Sequence, residues 1–270
     1  MNKERNKITA VPIEKYVIPT YTILRLGIGF LALALPIILV LVGFLFFKVH
    51  LQDSLSAYYH AYPSLDPMKE FLESGKGSMR NWFVGILWAI GVFLILYRGF
   101  GRRENWALNV AGILLVMVAM FPMEWICIPS NSCGKVSIHG TSALIFFLAI
   151  SYVCIFRSGD TLPLVHNREK RDSYKVAYRV IGYAMAGFPI VITTLNFFNL
   201  SLFGQYTIIV LESVGIWIFA CYWILKSIET LSSAADSKAI RGHLSRSPRK
   251  RGLLQYLLDT TPLNFTYHQS

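Results

Sequence analysis

Acidic side chains are scarce in this chain: 15 Asp and Glu stand among 270 residues, and charged residues of both signs make up only 15%. A soluble domain carries about 25%. With 54% apolar residues and a mean hydropathy of +0.47, the chain has too little charge to solvate an ordinary globular surface. Catalytic signatures are equally thin. There is no Walker loop, no GxSxG elbow and no HExxH pair, so nucleotide use and the common hydrolase mechanisms have no motif behind them. Four cysteines without a CxxC pair leave a structural zinc unsupported. No period of 20 to 50 residues repeats.

What is present is a series of long uncharged runs: Leu26 to Phe47, Asn81 to Tyr97, Asn105 to Met123 and Val136 to Phe156. A hydrocarbon core of about 30 Å takes about 20 apolar residues per helix, so each run reads as a span. A fifth run, Val180 to Leu211, is too long for one helix and is broken by the turn-rich stretch Asn199 to Gln205. The expected fold is all-α, a polytopic membrane bundle of six transmembrane helices at about 26–47, 81–97, 105–123, 136–156, 176–198 and 206–225. One transmembrane domain then covers residues 1–230, and 231–270 form a basic tail.

The formal charge of +11 is explained by topology. Placing both termini on the cytoplasmic side collects 21 of the 26 Lys and Arg there, and leaves Lys48, Lys69, Lys76, Arg80 and Lys135 outside. This accounts for the basic balance without nucleic acid. In the tail, Arg246, Arg249, Lys250 and Arg251 also suit anionic lipid of the inner leaflet. The apolar run after Arg25 is longer than a signal core and lacks a small-x-small exit, so the first span is expected to stay in the mature protein. Cys154 and Cys221 are expected to pack as small apolar residues. Cys127 and Cys133 share a short outer loop, where an oxidising compartment permits a disulfide. In the first outer loop, Asp66-Pro67 reads as the start of a short amphipathic helix that stops at Gly75.

A charge deep in the bilayer is costly and faces a partner or a cavity. Glu212 lies about six residues inside the sixth span and shares a stripe with Gly215, Ile216, Phe219 and Ala220, which turns the acid toward the bundle. Polar residues of the other spans gather near the same level: Arg80 and Asn81 open the second, Glu124 closes the third, His139 opens the fourth, and Thr193 and Thr194 end the fifth. The inner halves hold little comparable. The first outer loop adds Ser56 and His60. These residues define a candidate polar pocket open to the outer leaflet, with Glu212, His139 and Arg80 at its centre, Glu124 at its lip, and Asn81, Ser56 and His60 around it. In it, Glu212 would either pair with Arg80 or bond to His139. The pattern suits a lipid headgroup or a small polar ligand. Two alternatives are a metal-dependent intramembrane hydrolase of lipid amides or esters and a proton-coupled carrier using Glu212.

The stretches SLSAYYH (Ser54 to His60), RNWFVGILWAIGVFLILYRG (Arg80 to Gly99), ENWALNVAGILLVMVAMFP (Glu104 to Pro122), HGTSALIFFLAISY (His139 to Tyr152) and LESVGIWIFACYWILKS (Leu211 to Ser227) resemble a family of bacterial six-helix membrane proteins of unknown function. That resemblance implies the bacterial inner membrane. The layout is distantly similar to the DRAM-like membrane proteins, which implies a lipid-linked role. It is similar too to the alkaline-ceramidase type of intramembrane hydrolase, where three histidines hold zinc beside a Ser and an Asp. Ser56 and His60 would stand for the Ser and one His, and His60, His139 and Glu212 would form a mixed zinc set, with no pair of histidines in a late helix.

Overall fold

In the computed structural model of the chain, residues 14–61, 77–123, 137–198, 200 and 202–241 are described. Those residues are helical, with no named strand among them. Six long helices alternate in direction: α1 (Glu14–Phe47), α2 (Arg80–Leu96), α3 (Arg102–Met120), α4 (Ile138–Tyr152, continued by a π turn, Val153–Arg157), α5 (Arg168–Phe197) and α6 (Thr207–Ser233). A short α7 (Ala235–Ile240) follows. Each long helix packs on the next, and α6 closes against α1, so the six form a ring.

Four of these helical segments, Glu14–Phe47, Ile138–Leu164, Arg168–Leu195 and Gly204–Ser233, are long and apolar enough to cross a membrane. That is the signature of a membrane protein. The six expected spans divide at this point, because α2 is apolar but has 17 residues, and α3 carries Arg102, Arg103 and Glu104 in its first turn. The bundle's exterior is apolar too: Phe30, Phe44, Leu96, Ile113 and Ile190 all point outward and are exposed.

Small residues set the tightest crossings. A Cβ on Gly91 would come within 2.9 Å of the Gly112 carbonyl, and one on Gly112 within 2.6 Å of the Gly91 carbonyl, so α2 and α3 touch backbone to backbone. Gly182 of α5 sits against the side chains of Cys154 and Ile155, and the Ser151 hydroxyl donates to its carbonyl at 2.8 Å. Gly85 and Gly187 face open space. Cys154 is buried as expected, whereas Cys221 is exposed.

The helices reach further at one end than span length alone suggests. α1 begins at Glu14 and not near 26, α5 at Arg168 and not near 176, and α6 runs to Ser233 and not to 225. The added turns of α1 and α6 bring buried charges to this end, Arg25 with Asp236 and Lys226 with Glu229, which overturns the expectation that this half of the bundle is poor in polar groups, while residues 168–175 of α5 stay exposed or half-buried. Lys226 Nζ lies 2.9 Å from Glu229 Oε2, and that oxygen also accepts from the Thr161 and Tyr178 hydroxyls at 3.0 and 3.2 Å. Arg25 donates to both carboxylate oxygens of Asp236 at 3.1 and 2.5 Å, which ties the start of α7 to α1. A reading that ends the sixth helix at its last apolar residue leaves Lys226 and Glu229 outside, and so misses the cluster.

Candidate functional site

α1 ends where Lys48 takes a left-handed conformation (φ 53°), and the chain turns back over the mouth of the ring. Residues 54–58 are buried there, and Ser56–Tyr59 form one 3₁₀ turn. Five contacts hold this cap. The Ile209 N–H donates to the Asp53 carbonyl at 2.9 Å, and the Leu55 N–H donates to Glu212 Oε2 at 2.6 Å. The Ala57 N–H donates to Ser54 Oγ at 3.0 Å. His60 Nε2–H donates to the Met123 carbonyl at 3.0 Å, and Ser56 Oγ lies 2.9 Å from His139 Nε2.

His139 sits in the first turn of α4, which Ser137 caps by accepting the Gly140 N–H. Its ring reaches the end of α3, where the last carbonyls of a helix have no partner within it. Nδ1 lies 3.0 Å from the Val118 carbonyl and 2.9 Å from that of Phe121. Both are acceptors only, so Nδ1 carries the hydrogen. Nε2 then presents a lone pair, and the Ser56 hydroxyl donates to it. Helix termination, histidine tautomer and serine orientation are thus linked in one chain of hydrogen bonds.

Beneath the cap lies a cavity of about 590 Å³, within the range of about 300 to 1,000 Å³ typical of small-molecule sites. Its polar groups, Ser54, Ser56, Ser137, His139, Thr141, Thr193 and Glu212, come from the cap and the adjoining helix ends. Toward mid-bundle the walls are apolar, with Ile90, Leu115, Phe146 and Phe219 from four different helices. The second half of α5 supplies Phe188, Pro189 and Ile192; no residue of α5 after Met185 whose side chain is described is buried.

Of the expected site residues, Glu212, His139 and Ser56 meet at this cavity. Glu212 is bonded to the cap backbone at the Leu55 N–H, in place of the expected Arg80 or His139 partner. Arg80 instead lies over the Tyr59 ring at 5.9 Å, and neither it nor the exposed Asn81 lines the cavity. His60 turns to Met123. Among the described residues no three His, Cys, Asp or Glu side chains come together as a metal set, so His60, His139 and Glu212 do not form the zinc set that the ceramidase resemblance implied. Glu124, Cys127, Cys133, the 66–75 segment, and Arg246, Arg249, Lys250 and Arg251 lie outside the described residues. Sequence reasoning missed the carbonyls of Val118 and Phe121, whose only signal was a helix end at Pro122 near a histidine.

Comparison with protein-family models, with curated proteins and with solved structures finds no match to this chain.

Proposed function

We propose that this chain is a six-span integral membrane protein whose central cavity takes up a lipid or similar amphiphile from the outer leaflet. The headgroup meets Ser56, His139 and Glu212, and the acyl part enters the apolar well. The observation that carries this reading is the polarity gradient of the cavity, polar under the cap and apolar toward mid-bundle, which complements an amphiphile and no uniformly polar solute. Six crossings are supported by the ring: α2 and α3 run between α1 and α4 as antiparallel neighbours and cross with them. At 1.5 Å per residue the 17 residues of α2 reach about 26 Å, near the lower limit for a span. Both termini on the cytoplasmic side follow from the basic excess, and the resemblance to bacterial six-helix proteins favours the inner membrane. The tail from 231 onward then faces the inner leaflet, where Arg246, Arg249, Lys250 and Arg251 meet anionic lipid. A carrier reading would need Glu212 free to bind and release a proton, whereas the cap backbone engages it.

The test is lipid analysis of the full chain extracted in mild detergent, with Ala143→Trp to fill the cavity and Trp217→Phe on the exterior as control. Co-purifying lipid that is lost in Ala143→Trp and kept in Trp217→Phe, with both variants folded, is the expected result. Equal lipid retention in folded Ala143→Trp would overturn the reading.

A further inference from the structure

We infer that the cavity is an acyl-ester hydrolase site working without a metal, with Ser56 as nucleophile and His139 as general base; this rests on the amphiphile reading above. A nucleophile needs a base within hydrogen-bond reach and a third group that orients the base. Ser56 Oγ and His139 Nε2 are 2.9 Å apart, and the Val118 and Phe121 carbonyls hold Nδ1–H at 3.0 and 2.9 Å, fixing the tautomer that leaves Nε2 able to take a proton. Carbonyl dipoles take the place that a carboxylate holds in the familiar triads. The pair is buried, Ser56 9% and His139 7% exposed, and both side chains line the cavity. A hydrogen bond serving only to join the cap to α4 would not need its partners at the polar end of a lipid-sized well.

The reaction balances as follows. Ser56 Oγ attacks the ester carbonyl carbon while its proton passes to His139 Nε2. The tetrahedral intermediate collapses, the bond from carbonyl carbon to alcohol oxygen breaks, and His139 returns the proton to that oxygen, releasing an alcohol and leaving acyl-Ser56. Water, the co-reactant, then attacks the acyl carbon with its proton taken by His139. The carbon–Ser56 bond breaks, Oγ recovers the proton, and a fatty acid leaves. One oxyanion donor is at hand beside the nucleophile: the Ser54 hydroxyl, whose own hydrogen is otherwise directed at Met123 Sδ at 3.8 Å. Glu212 is a positioning residue here, since it holds the Leu55 N–H at 2.6 Å and so fixes the backbone that leads into Ser56.

The experiment uses the full chain in lipid nanodiscs, a long-chain alkyl fluorophosphonate that phosphonylates activated serines, and peptide mapping by mass spectrometry. Labelling at Ser56 is expected, falling by on the order of 10²-fold or more in His139→Ala, the usual contribution of a general base, and vanishing in Ser56→Ala. Hydrolysis of a fluorogenic long-chain ester should fall in parallel. Ser56→Cys, which keeps a nucleophile of similar size, should react with a long-chain alkylating probe if Ser56→Ala does not fold. Folded, lipid-loaded wild-type protein that is not labelled at Ser56, or labelling equal in His139→Ala, would overturn the hydrolase while leaving amphiphile binding standing. Absence of both label and lipid would remove both readings.

Discussion

Glu212 Oε2 accepts the backbone N–H of Leu55 at 2.6 Å across 157 residues of sequence. A carboxylate inside a helix that is long and apolar enough to span a membrane therefore acts as an anchor for an irregular segment, supplying a partner that a loop folded into the bundle cannot find in itself. The bond places Ser56, the next residue, within reach of His139.

Removing that anchor is expected to loosen the cap. Glu212→Ala leaves the Leu55 N–H buried and unpaired, at a cost of about 1 to 3 kcal/mol, whereas Glu212→Gln keeps an oxygen for it. Hydrogen exchange at residues 54–58 should accelerate in the alanine variant and much less in the glutamine variant. Equal protection in all three proteins would contradict the anchoring role.

The crossing of α2 and α3 admits no side chain. Gly112→Ile is expected to destabilise the bundle by about 1 to 3 kcal/mol or more through overpacking against the Gly91 carbonyl and Ile95. Gly85→Ala, which meets open space, should be neutral or slightly stabilising. Thermal unfolding in one detergent, read by circular dichroism, compares the two.

At the other end, Lys226→Met leaves Glu229 as a buried, uncompensated acid with its hydroxyl donors Thr161, Tyr178 and Ser233. Breaking one partner of such a pair costs about 3 to 5 kcal/mol, and replacing both by apolar residues costs far less. A double-mutant cycle with Glu229→Met is therefore expected to show the double variant more stable than Lys226→Met alone.

The Arg241–Glu14 ion pair lies beyond the apolar part of the spans. Arg241 donates to both oxygens of Glu14 at 2.8 and 3.1 Å, and this holds the Glu14 carboxyl below its ordinary value. A lowered carboxylate contributes stability above its unfolded pKa and loses it as pH falls through the folded one. Because the pair is solvated, the effect should stay local. Carboxyl NMR of Glu14 is expected to show its titration midpoint rise in Arg241→Gln, with global stability unchanged.

Much of this was legible in the residues themselves. Uncharged runs located all six long helices, since apolar length is a local property, and the three-and-four spacing around Glu212 turned its stripe inward, where Gly215, Phe219 and Ala220 are buried. Helix ends were not legible, because the terminal turns of α1, α5 and α6 are polar, and the partners buried at this end, Asp236 for Arg25 and Thr161 and Tyr178 for Glu229, come from distant segments.

The sequence by itself determined an apolar, helical chain with polar residues gathered near one end of the helices, because composition and periodicity act within a helix. Only the tertiary structure decided which of those residues meet. Arg80 and His60 were as plausible as Ser56 until the cap folded over the ring, and His139 became a base candidate only when the end of α3 placed two carbonyls on its Nδ1. Such contacts join positions 18 to 157 residues apart, and side-chain chemistry at that separation is set by how the helices pack, which no local pattern encodes.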